Sequence, residues 1–237
     1  MRLPFPIDKN KSSIFLIGDS TVRNGAGDGE NGEWGWGDLL EQALGNRQYN
    51  IVNRAVGGLS SRTFYTGGHF ARTLSMMQAG DILLMQFGHN DSSPINDDKR
   101  ARGTIPGINE AHETIENLVT GREEVVHSYG WYLRQMFGEA KARGIRVVVC
   151  SPVPSKIWEG TFIARNENDY PAWAMQVARQ SGSDFIDLFA LVAKAYERLG
   201  KSEVDNLFAD EYTHTSREGA SLTAGIVAQQ LQPLLRL

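Results

Sequence analysis

Short apolar runs that alternate with helical patterns constrain this chain more than any other feature. Ser13–Ile17, Tyr49–Asn53, Asp81–Phe87, Ile145–Cys150 and Phe185–Leu188 read as strands. Gly37–Leu44, Phe70–Gln78, Glu124–Arg143, Tyr170–Ser181, Ala190–Leu199 and Thr215–Leu231 read as helices, the last with Thr215 or Ser216 as N-cap and Glu218 in its first turn. Such alternation builds βαβ units and a parallel sheet. Continuous apolar strands such as Val147–Cys150 suit a sheet covered on both faces. In these sheets ligands bind beyond the carboxyl ends of the strands. Gly18–Thr21, Ala55–Ser61 and Gly88–Asp91 each follow a strand directly, so topology alone brings them to one rim.

No repeat of 20–50 residues and no Pro- or Ser-rich linker divides the 237 residues, which read as a single domain over residues 1–237. A hydrophobic fraction of 41% supplies one large core and argues against wholesale disorder. With a net charge of −4 and no basic stripe, the chain is not expected to bind nucleic acid. No apolar run reaches the length of a membrane span. The first residues lack the apolar stretch of a signal peptide, which points to the cytoplasm, or to export if a leader has been removed. The single cysteine, Cys150, excludes an internal disulfide and a cysteine-based zinc cluster. No histidine pair has metal-ligand spacing, and Asn24–Gly37 has neither the P-loop ending nor the dinucleotide fingerprint. No metal and no cofactor are expected.

The rim segments carry chemistry. Ser20 follows Gly-Asp at a strand end, where free backbone N–H groups can hold an oxyanion beside a nucleophilic hydroxyl. It could equally be an N-cap. Asn90 offers two amide donors and no ionisable proton, which suits an oxyanion, although Gly-His-Asn-Asp is also rich in turn formers. Gly57-Gly58 can aim an N–H or simply flex. His214 has Glu211 and Asp210 three and four residues before it, and a carboxylate there can orient an imidazole or merely suit a helix start. His69, His89, His112 and His127 compete for the role of base.

Taken in order, Gly18-Asp19-Ser20-Thr21, Asn53-Arg54-Ala55-Val56-Gly57-Gly58, Gly88-His89-Asn90-Asp91 and Thr213-His214-Thr215-Ser216 resemble the four blocks of the SGNH (GDSL-type) hydrolases, and within them the rhamnogalacturonan acetylesterases. The resemblance implies a three-layer α/β/α sandwich, flavodoxin-like, around a parallel sheet of about five strands. It implies Ser20 as nucleophile and His214 as general base and acid. It implies an oxyanion hole of the Ser20 and Gly58 N–H groups and the Asn90 amide. The family's acid lies three residues before its histidine, which selects Glu211 here, with Asp210 as the alternative if the turn holds one extra residue.

The implied partner is an acetylated carbohydrate, most closely pectic rhamnogalacturonan. Trp34, Arg54 and His89 are the expected substrate contacts. Trp36, Phe64, Tyr65 and Trp158 are further aromatic faces, and Arg23, Arg62 and Lys156 further cations, that could meet a sugar or its carboxylate. Ser92–Gly121 reads as a long polar loop that shapes the site or mediates self-association. A broad short-chain carboxylesterase or xylan acetylesterase, a non-catalytic carbohydrate-binding relative and a flavodoxin-type nucleotide module are the rival readings.

Overall fold

The computed structural model describes residues 7–8, 10–45, 48–166 and 168–235. The segment that bears on a leader peptide falls largely in residues 1–6 and 9, outside the described residues. In chain order the strands are β1 (Ser13–Gly18), β2 (Asn50–Asn53), β3 (Ile82–Gln86), β4 (His112–Asn117), β5 (Arg122–His127), β6 (Arg146–Cys150), β7 (Trp158–Glu159), β8 (Phe162–Ile163) and β9 (Asp184–Ile186). The helices are α1 (Leu40–Leu44), α2 (Ser61–Thr66), α3 (His69–Leu74), α4 (Tyr129–Ala142), α5 (Tyr170–Ser181), α6 (Leu188–Leu199), α7 (Lys201–Asp205) and α8 (Arg217–Leu235).

Five strands form one parallel sheet in the order β2-β1-β3-β6-β9. Counted among the sheet strands alone this is the 2-1-3-4-5 order of flavodoxin-like folds, whose ligand crevice lies where the order reverses beside the first strand. Register aligns Phe15 with Val52 on one side and Leu83 on the other, and Leu83 with Val147. Every residue of β1 and β3 is buried, as expected of strands covered on both faces.

The strand alternation separates two apolar layers. Ile14, Leu16, Leu84 and Val148 pack against α1, α6 and α8 through Leu40, Val192, Ala224 and Val227. Phe15, Ile17, Leu83 and Val147 pack against α2–α5 through Phe64, Phe70, Leu133 and Trp173. The result is the expected three-layer α/β/α sandwich. Among the described residues, no helix is long and apolar enough to cross a membrane.

Two sequence expectations are corrected, and one helix not foreseen is added. The helix expected over Glu124–Arg143 begins only at Tyr129, because Ser128 caps it by accepting from the Trp131 N–H at 3.2 Å. The residues before the cap belong to β5, whose Glu124 lies opposite Ile115. The long loop expected over Ser92–Gly121 contains β4, which pairs with β5 as an antiparallel hairpin. Its His-Glu-Thr-Ile-Glu-Asn sequence buries only Ile115 and Asn117, so it carries no apolar alternation to read. Finally, the Ala55–Ser61 loop ends in a capping box, where Ser60 accepts from the Thr63 N–H and Thr63 Oγ1 accepts from the Ser60 N–H, and α2 begins there.

Candidate active site

Ser20 stands on the turn that leaves β1. The turn is closed by the Val22 and Arg23 N–H groups, each 3.1 Å from the Asp19 carbonyl, and does not continue as a helix. Close packing forces glycine before it, since a Cβ on Gly18 would lie 2.5 Å from the Gln86 carbonyl oxygen. Asp19 fixes the turn from inside. Its Oδ1 accepts from the Thr21 N–H at 2.9 Å and the Thr21 hydroxyl at 2.7 Å. Gln86 donates to Thr21 Oγ1 at 2.6 Å and accepts from the Trp36 indole at 2.8 Å, tying the turn to β3 and the first core.

His214 reaches Ser20 from the loop before α8. Its Nε2 lies 2.9 Å from Ser20 Oγ, and its Nδ1 lies 2.6 Å from Asp210 Oδ2. The acid on the imidazole is therefore Asp210 and not Glu211. Asp210 Oδ1 accepts from the N–H groups of Tyr212, Thr213 and His214 at 3.0, 2.7 and 2.9 Å. The short aspartate side chain thus wraps its own turn while its second oxygen serves the histidine, a geometry a glutamate one methylene longer does not favour. Glu211 points outward and accepts from the Tyr212 hydroxyl. Burial works to raise the Asp210 carboxyl, but the Thr213 and His214 N–H groups and the imidazole outweigh it and hold it below the ordinary aspartate range.

Asn90 follows β3 and is nearly fully buried. Its amide donates to the Leu59 carbonyl at 2.9 Å, which links the third rim segment to the second. Its other amide hydrogen is left for the cavity. Gly58 adopts φ +80°, a backbone that side chains rarely take, and its carbonyl accepts from Arg102 Nη1 at 2.8 Å.

Beneath Ser20 lies a buried ionisable cluster. His89 Nδ1 is 3.4 Å from Asp19 Oδ2, a charge pair longer than a good hydrogen bond. Burial opposes charge on both. The pairing prevails, holding His89 above its ordinary value and Asp19 below. Asp91 is pushed up to about 7 by burial, against the opposing pull of its bonds from the Ser61 hydroxyl and N–H.

A cavity of about 870 Å³ opens over Ser20 and His214. Asn90, Arg102, Arg165 and Tyr170 line it, and so does His89. Trp34 and Arg54, the other expected substrate contacts, do not. Trp34 pairs its backbone with Thr215 at 2.9 and 3.0 Å and lies under Arg217, so it braces the histidine loop. Arg54 is set among Arg23 and Arg72 outside the cavity. The further candidates are also engaged elsewhere. Phe64 and Trp36 are core, and Tyr65 donates to Glu139 at 2.7 Å. Arg23 donates to the Asn53 and Ala26 carbonyls, and Lys156 pairs with Asp205 at 2.9 Å. Trp158 lies under Lys201, and Arg62 is fully buried against Glu124. Arg102 and Arg165 were not foreseen, because isolated arginines in irregular segments carry no periodic signal. Glu33 was missed for the same reason. Its Oε1 lies 3.8 Å from His214 Nδ1. Glu33, Asp210 and His214 place one ligand atom each within 4.8 Å of one another, but Nδ1 and the Asp210 carboxylate are already engaged with each other.

Known proteins bear on this arrangement. A rhamnogalacturonan acetylesterase of Emericella nidulans is 30% identical over 90% of this chain and 81% of its own. A probable rhamnogalacturonan acetylesterase, YesY, of Bacillus subtilis is 29% identical over 93% of each chain. In structure, the YxiM protein of Bacillus subtilis superposes with a TM-score of 0.75 at 22% identity. That match covers 94% of this chain but only 57% of the other. An acetyl-xylooligosaccharide esterase of Geobacillus superposes with a TM-score of 0.62 at 18% identity, over 95% and 97% of the two chains. The sequence model of the GDSL-like lipase/acylhydrolase family matches residues 16–222, a span that holds Ser20, Gly58, Asn90 and His214. This chain is a carboxylic ester hydrolase and belongs to the GDSL-like lipase/acylhydrolase family.

Proposed function

We propose that the chain removes acetyl groups from an acetylated polysaccharide, pectic rhamnogalacturonan in particular, through an acetyl-serine intermediate. The hydrogen-bonded line from Ser20 Oγ through His214 to Asp210, open to the cavity, carries this reading. A serine hydroxyl becomes nucleophilic when a base takes its proton. His214 Nε2 accepts that proton as Oγ attacks the acetyl carbonyl carbon, and Asp210 holds the Nδ1 proton and offsets the imidazolium charge. The oxyanion forms among the N–H groups of Ser20 and Gly58 and the Asn90 amide. The carbon–oxygen bond to the sugar breaks, and the sugar oxygen takes the proton from Nε2. Water then adds to the acetyl-enzyme by the same route, and acetate leaves with Ser20 restored.

The substrate class is supported by what the two similar proteins are called and by the cavity wall. Arg102, held at the Gly58 carbonyl at 2.8 Å, and Arg165, paired with Glu197 at 2.7 Å, still line the cavity wall as cations that suit the carboxylates of an acidic sugar, and Tyr170 offers an aromatic edge or face. The test is acetate release from acetylated rhamnogalacturonan, acetylated xylan and 4-nitrophenyl acetate, wild type beside Ser20→Ala. Release that favours the pectic polymer and falls by roughly 10⁶ in Ser20→Ala is expected. Release from xylan or the small ester alone would discard the pectic substrate. Full activity in Ser20→Ala would overturn the mechanism.

A further inference from the structure

The imidazole of His214 faces two carboxylates at the same nitrogen. Asp210 Oδ2 is hydrogen-bonded to Nδ1 at 2.6 Å, and Glu33 Oε1 stands 3.8 Å from it. Glu33 is held in place. Asn24 donates to its other oxygen. The next residue, Trp34, is bridged to Thr215, the residue after His214, by two hydrogen bonds of 2.9 and 3.0 Å. The bridge ties the Glu33 backbone to the His214 backbone. Both side chains remain about a quarter exposed, 25% and 27%, so solvent screens the pair only in part.

From this geometry we infer that Glu33 is a positioning residue for the reaction, a second carboxylate that stabilises the His214 imidazolium and steps onto Nδ1 when Asp210 is lost. The inference rests on the reading of Ser20 and His214 as nucleophile and base. Two unit charges about 4 Å apart in water-like screening are worth about fivefold, and more as water is excluded. The other groups around His214 do not substitute for Glu33. Ser20 occupies Nε2, and the Asp19–His89 pair lies beneath the serine. Arg102 is engaged at the Gly58 carbonyl, and Arg217 lies over the Trp34 ring. Glu211 is turned outward to Tyr212.

The experiment is the pH profile of kcat/KM on 4-nitrophenyl acetate for wild type, Glu33→Gln, Asp210→Ala and the double variant, with Ser20→Ala as control. Removing the Glu33 charge makes the imidazolium less stable. Glu33→Gln should therefore lower the high-pH plateau about three- to tenfold and move the acid limb to lower pH. Glu33→Asp, which keeps the charge, should recover part of both effects. In the Asp210→Ala background Glu33→Gln should cost more than tenfold, because the remaining carboxylate is then removed. An unmoved acid limb with equal costs in the two backgrounds would reduce Glu33 to a loop brace and overturn the inference. Full activity in Ser20→Ala would instead defeat the underlying mechanism, so the two failures are distinct.

Discussion

The turn from Asp210 to His214 decides which carboxylate reaches the imidazole, and one residue of length makes the difference. An aspartate four residues back can bind three N–H groups of its own turn with one oxygen and Nδ1 with the other. Asp210→Asn keeps the first function and spoils the second. An amide NH₂ facing Nδ1 would hold the imidazole in the tautomer whose Nε2 carries the proton and cannot accept one from Ser20. A drop in kcat of roughly 10³–10⁴ is expected, with the fold kept. Glu211→Gln should stay within about twofold of wild type, since its carboxylate meets only Tyr212 in this structure. Steady-state kinetics on a small ester separate the two, and the reverse ranking would restore Glu211 to the site. The proximity of Ser20 and Asn90 was legible because each sits in a short block at the end of a parallel strand, whereas His214 was joined to them only through the resemblance of its Thr-His-Thr-Ser block to the SGNH hydrolases. The choice of acid was not, since spacing along the chain does not specify how a turn winds.

Elements show the same contrast in what is legible. The buried strands β1, β3 and β6 announced themselves by continuous apolar residues, and the parallel sheet followed. The β4–β5 hairpin did not, because it is held largely by polar contacts. Arg62 is its anchor. From α2 its fully buried guanidinium donates to both Glu124 oxygens on β5, at 2.8 and 2.7 Å. It also donates to the carbonyls of Ile95 and Gly103, at 2.7 and 2.9 Å, in the segment that presents Arg102 to the cavity. Arg62→Ala leaves two carbonyls without their donor and a half-buried carboxylate with only the Asn117 amide at 2.6 Å, and should cost about 3–5 kcal/mol of stability. Glu124→Gln keeps an acceptor for the guanidinium and should cost less. Urea unfolding of the two variants tests the order. Arg62→Ala should also raise KM for the polysaccharide more than for 4-nitrophenyl acetate, because the loop bearing Arg102 loses its tether. Equal effects on both substrates would detach Arg102 from substrate binding.

Across the whole molecule, the site rests on a buried charge cluster, and that cluster should be visible as a pH dependence of stability. Asp91 is pushed up to about 7 and Asp38 to about 6, both chiefly by burial. A carboxyl raised on folding contributes fully below its unfolded value, near 3.8, and loses that contribution as pH rises through the folded value. His89, raised by Asp19 despite its burial, acts in the same direction above its ordinary value. His69 and His127 are lowered by burial and by neighbouring positive groups, and they act in the opposite sense. They are more exposed than Asp91, so the carboxyls should dominate. Asp19, held low, contributes above the ordinary aspartate range and is lost as pH falls below it, which sets the acid edge. Melting temperature should therefore be higher at pH 5.5 than at pH 7.5. Asp91→Asn and Asp38→Asn, neutral at every pH, should each flatten the slope, Asp91→Asn the more. A wild-type melting temperature that falls over this interval no more steeply than that of the Asp91→Asn variant would remove the buried carboxyl from the account. The cluster that fixes the nucleophile's turn thus makes fold stability fall toward pH 7.5, chiefly through the buried Asp91 carboxyl.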